Sequence, residues 1–108
     1  MEDKASQLMI GWTTCGNEAT AQKLAQQAVA GKLAACVQVS GPVTSHYVWE
    51  GKAERTQEWS LRFKFPARNL ENLKAWLIEQ HPYDCPQWYA IAANDVHQPY
   101  LDWALKNT

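Results

Sequence analysis

The sequence predicts an α+β sandwich of the ferredoxin-like type, in the order β-α-β-β-α-β, with an extended β-hairpin and an extra C-terminal helix. Three observations carry this. From Trp59 to Phe65 the apolar residues Trp59, Leu61, Phe63 and Phe65 alternate with Ser60, Arg62 and Lys64, and Glu54, Thr56 and Glu58 keep the polar phase upstream. That is the period of a strand with one buried face. Before it, Val43, Ser45, Tyr47 and Trp49 alternate with Thr44, His46 and Val48 and run into Glu50-Gly51-Lys52, where glycine allows the positive φ of a tight turn. The two runs form one long hairpin, and a helical pattern lies on each side of it.

The elements follow in order. Leu8-Met9-Ile10-Gly11-Trp12 is a short apolar run ending at Thr13-Thr14-Cys15-Gly16, read as a buried strand. Asn17 is an N-cap candidate with Glu18 in the first turn, and Ala21, Leu24, Ala25, Ala28 and Val29 repeat at helical spacing until Gly31 closes the helix. The hairpin's first arm reaches back to Leu33 and is expected to bend or bulge at Ser40-Gly41-Pro42, where proline donates no ladder bond. Pro66 stops the second arm. Leu70, Leu73, Trp76 and Leu77 then mark a helical face ending near His81, because Pro82 disfavours helical geometry in the residue before it. Pro86 to Ala93 reads as the fourth strand, and Pro99 opens a short helix carrying Tyr100, Leu101, Trp103, Ala104 and Leu105.

At 108 residues the chain makes one domain, residues 1–108, able to bury a core unaided. The net charge of −1 provides no basic footprint, which argues against a nucleic-acid partner. No apolar run approaches the roughly 20 residues that span a bilayer, and the N-terminus lacks a signal-peptide core, so the expected location is the cytoplasm. Three cysteines, at 15, 36 and 85, form no Cys-x-x-Cys pair, so neither a disulfide framework nor a closed zinc site is indicated. Cys36, in the Ala-rich start of the second strand, is expected in the core. His46 and His97 are expected at the surface.

An ordered set of residues resembles the CutA family, named for divalent-cation tolerance. The set comprises Glu18-Ala19 with Ala25, Leu33-Ala34-Ala35-Cys36-Val37, Ser45-x-Tyr47-x-Trp49-x-Gly51-Lys52, Glu58 and Lys64, His81-Pro82-Tyr83-x-x-Pro86, and Tyr100-Leu101-x-Trp103. The resemblance implies a homotrimer, related in architecture to PII signalling proteins, with hairpins pairing between subunits. It also implies a link to copper and other divalent metals and no established catalytic activity. The chain departs from the pattern at Gln38-Val39, at Phe65 and at Gln87-Trp88. The family's metal site resembles a cysteine at the end of strand one plus two adjacent histidines. Here Gln80 stands before His81, and Cys15 sits two places late.

Two residue sets are candidates for function. Strands one and four are antiparallel neighbours in this fold, so Cys15, His81 and Cys85 are expected at one sheet end, a soft set suited to Cu(I) or Zn(II). The same three also suit a helix cap and two small apolar fillers. Tyr47, Trp49, Glu58, Lys64 and Tyr83 form the second set, a cleft between one hairpin and a neighbour's His-Pro-Tyr loop, suited to a small anion or polar ligand. Alternatively, those aromatics staple subunits and Glu58 pairs with Lys64 or Arg62 across the interface. For an enzyme the chain has no Gly-rich phosphate loop, no Gly-x-Ser-x-Gly elbow and no His-Glu-x-x-His. Asn17 and Arg62 match an acylphosphatase only by fold analogy, so the chain is read as a binding protein. The expected function is divalent-cation tolerance through metal binding, with a PII-like ligand-binding module as the alternative.

Overall fold

The computed structural model describes residues 3–108. Alternation in the sequence becomes a four-stranded sheet of β1 (Leu8–Cys15), β2 (Cys36–Trp49), β3 (Lys52–Pro66) and β4 (Tyr89–Ala92), in the order β2-β3-β1-β4. Every neighbouring pair is antiparallel. Helices α1 (Glu18–Ala30) and α2 (Leu70–Gln80) cover one face, and α3 (Gln98–Lys106) is added at the end. The predicted fold class is the one observed. Inward-facing Cys15, Leu61, Phe63 and Phe65 meet Ala21, Leu24, Ala25 and Ala28 of α1 and Leu73 and Leu77 of α2 in one core. Small residues on α1 let that helix lie close to the sheet.

The helix ends follow local chemistry. The Asn17 side chain accepts from the Thr20 N–H at 3.0 Å, capping α1. Replacing Asn17 by alanine is expected to cost about 1 kcal/mol in denaturant unfolding; an unchanged midpoint would show that this cap contributes nothing. Gly31 closes α1, but Lys32 takes the left-handed backbone, with φ 59°. Leu33 and Ala34 then donate to the Ala28 carbonyl, so they finish the helix and β2 begins only at Cys36.

β1 ends at Cys15 as expected, whereas one strand limit and one burial differ. β1 continues through Thr13, Thr14 and Cys15 because β3 runs on beside it, pairing them with Leu61, Ser60 and Trp59. β4 is shorter than Pro86–Ala93, since Trp88 leaves the ladder and tucks its ring beneath Gly11, against Phe63 and Phe65. A Cβ at position 11 would run into that ring. Cys36 is not in the core: it pairs with Lys64, and alternation leaves it half-buried on the sheet face away from the helices.

The hairpin turns at Glu50-Gly51, both with positive φ (50° and 78°), between the paired residues Trp49 and Lys52. This is the two-residue geometry that matches the twist of the strands. The ladder slips between Ser40 and Val43, at the expected Gly41-Pro42. Fourteen residues of β2 at about 3.3 Å each account for the long axis of a molecule measuring 48 × 25 × 22 Å.

Candidate functional site

Register decides which hairpin residues meet. Val43 stands opposite Glu58, Ser45 opposite Thr56, and Tyr47 opposite Glu54, so these side chains share one face of the ribbon. The Thr56 hydroxyl donates to Tyr47 Oη at 3.3 Å across that face. Beside it, Pro82 ends α2, and His81 leaves the helix with extended backbone to carry the chain across the end of β1. A cleft of about 900 Å³ opens between the ribbon and this segment.

His81 pins the segment down. Its Nε2 lies 2.8 Å from the Thr14 carbonyl, and Nδ1 accepts from the Tyr83 N–H at 3.1 Å. A carbonyl only accepts, so the proton sits on Nε2 and both ring nitrogens are engaged. The turn so held sends the Tyr83 phenol back across the cleft, where its hydroxyl donates to Glu58 Oε2 at 2.9 Å. Gly16 keeps this path open, since a Cβ there would stand 3.0 Å from the Tyr83 oxygen. Glu58, only 7% exposed, is thus a nearly buried carboxylate facing the cleft.

Burial, and then the Glu58 carboxylate that accepts its proton, push the Tyr83 phenol up from its usual value. Burial also lowers His81 from its ordinary 6.5, outweighing the Thr14 carbonyl and Glu58, which favour the charged ring. Unfolded His81 therefore binds a proton before the folded ring does, so stability falls as pH drops below about 6.5. Denaturant midpoints measured between pH 7.5 and 5.5 are expected to show this loss, with a shallower slope in His81→Gln. A wild-type midpoint rising on acidification would contradict it.

The structure unites Tyr47, Trp49, Glu58 and Tyr83 around the cleft. Lys64 does not belong with them. It lies at the other end of β3, opposite Cys36 and Ile10, with Nζ 5.7 Å from the Tyr100 ring centre. Within one chain the segment after α2 folds back over β1, so a hairpin and a His-Pro-Tyr loop of the same chain both line the cleft. Within the chain Glu58 bonds Tyr83 and neither Lys64 nor Arg62. The Arg62 guanidinium donates to Gln38 Oε1 at 2.7 and 3.1 Å.

Cys15, His81 and Cys85 do not form the expected metal centre. Among the described residues no three His, Cys, Asp or Glu side chains stand close enough to hold a metal ion. Alternation turns Thr14 toward the cleft and Cys15 into the core, where its thiol donates to the Asn17 carbonyl at 3.6 Å. Burial pushes that thiol up, away from the thiolate a metal needs. His81 offers no free nitrogen, and Cys85 is exposed on the cleft wall. Sequence reasoning missed Thr14, Gly16, Ser45 and Thr56 as parts of the site. The hairpin alternation already placed Ser45 and Thr56 in phase with Tyr47 and Glu58, whereas the contacts at Thr14 and Gly16 depend on how α2 returns.

Comparison with known proteins agrees with this architecture. Residues 9–107 match the family model described as CutA1 divalent ion tolerance protein. The divalent-cation tolerance protein CutA of Yersinia pestis is 37% identical over 98 residues, spanning 91% of this chain and 82% of that protein. CutA from Synechococcus elongatus superposes with a TM-score of 0.90 at 36% identity, covering 94% of this chain and 90% of that one. CutA1 from Oryza sativa superposes with a TM-score of 0.92 at 28% identity, covering 98% of this chain and 97% of that one. With the family model matching nearly the whole length and the fold agreeing across bacterial and plant structures, this chain belongs to the CutA family of divalent ion tolerance proteins.

Proposed function

We propose that this chain serves divalent-cation tolerance in the cytoplasm as a homotrimeric, PII-like binding protein, not an enzyme, with the cleft as its ligand site. One observation carries the reading: a nearly buried carboxylate, Glu58, faces a cleft of small-molecule size and is positioned by Tyr83. Metal tolerance then follows from what the cleft binds. A Synechococcus elongatus relative, 35% identical, was solved in complex with a Bis-Tris molecule, a small polar compound. Direct binding of copper or another divalent ion is the second reading. It is favoured by the description of the matching family as divalent ion tolerance proteins.

Isothermal titration of the purified chain with Bis-Tris, Cu(II), Zn(II) and Mg(II), repeated on Glu58→Gln, tests both readings. Saturable Bis-Tris binding that weakens about tenfold in Glu58→Gln is expected, because hydrogen bonds to charged groups are worth about 1.5–3 kcal/mol. Stoichiometric metal binding lost in the same variant would favour the second reading. Binding of every probe unchanged by Glu58→Gln would remove the cleft from the function.

A further inference from the structure

We propose that the cleft takes an organic ammonium ion, with Glu58 as its counter-ion and Trp49 and Tyr47 as its aromatic wall. This rests on the reading of the cleft as the ligand site and names the ligand's class. Glu58 is more than nine-tenths buried, and its Oε2 receives the Tyr83 hydroxyl. No described residue donates to Oε1. Since no fully buried side-chain oxygen or nitrogen among the described residues lacks a partner, Oε1 opens onto the cleft that Glu58 lines.

Charge then selects the ligand. No lysine or arginine lines the cleft, and Asp84 adds a second carboxylate. A carboxylate removed from water without a cation is costly, so a positively charged ligand is what this site is short of, and an anion is repelled. Size and wall chemistry separate an organic cation from a metal ion. The cleft's 900 Å³ or so matches a small molecule and far exceeds a single ion. No three metal donors converge among the described residues. Tyr47, Trp49 and Tyr83 line the cleft with aromatic rings, and the face of an aromatic ring attracts an alkylammonium group through its quadrupole. Ser45, Thr56 and Gln87 supply hydroxyl and amide groups at the edges, which suits a ligand that also carries hydroxyls.

The test uses the full chain and two probes of one shape: choline, and its uncharged isostere with carbon in place of the ammonium nitrogen. Binding is followed by titration calorimetry and by the NMR resonances of the Trp49 indole and the Tyr83 ring. Choline is expected to shift both resonances and to bind at least about tenfold tighter than the isostere. Glu58→Gln, which keeps the side-chain volume and an acceptor for Tyr83, is expected to abolish that preference. Trp49→Leu, at an exposed position, is expected to weaken choline without unfolding the chain. Equal binding of choline and isostere in the cleft would overturn the ammonium assignment and leave the cleft as the ligand site. If neither probe moves the Trp49 and Tyr83 resonances, the ammonium assignment and the cleft reading both fall.

Discussion

Replacing Phe63 by alanine is expected to remove about 3–5 kcal/mol of stability. Phe63 is fully buried on β3, which lies between β2 and β1, so the strands beside it cannot close in. Its ring meets Trp88 edge-on at 5.8 Å, and it belongs to the core shared with α1 and α2. Truncation therefore loses the transfer free energy of the ring and leaves a cavity bounded by elements held at fixed spacing. Against a typical total of about 5–15 kcal/mol, that is a large share. Guanidinium unfolding at one protein concentration measures it, with the midpoint falling and the slope unchanged. A loss below about 1 kcal/mol would show that Trp88 and its neighbours repack into the space.

Light scattering is expected to return about three times the mass of one chain, and the double variant Tyr89→Glu, Ile91→Glu is expected to bring it down to one. The sheet face away from α1 and α2 carries Trp12 stacked on Tyr89 at 5.2 Å, and Tyr89 and Ile91 are 52% and 53% exposed. Farther out, the hairpin exposes Val43 and Val48. Exposed apolar side chains in this number call for a partner. A two-stranded ribbon is marginal in water by itself, and β2 and β4 are both open edges. A closed ring of identical subunits would supply the missing contacts, and obligate interfaces of this kind bury on the order of 2,000 Å² or more. The unfolding midpoint should then rise with protein concentration. A stable folded wild-type monomer at micromolar concentration would overturn the assembly. The cleft would survive, since one chain builds both its walls.

Much of this architecture was legible in the sequence because it rests on local rules. The alternation from Val43 to Phe65 specified a hairpin, and Glu50-Gly51 specified its turn, because a period of two and a glycine at positive φ are written directly into adjacent residues. Asn17 and Pro82 marked helix boundaries for equally local reasons. The same periodicity placed Tyr47 and Glu58 in one phase, so half of the cleft was visible before any coordinates.

The other half depends on where separate elements return. By itself the sequence determined the fold class, the family and the residues of the hairpin face, since each of these is a pattern along the chain. Only the tertiary structure decided that His81 bonds the Thr14 carbonyl instead of a metal, because that contact needs α2 to end above β1. It decided that Cys15 turns into the core, because β1 runs three residues farther than its apolar run. And it separated Lys64 from Glu58: they share a phase, but a strand rises about 3.3 Å per residue, and that distance along β3 puts one at Tyr100 and the other at Tyr83.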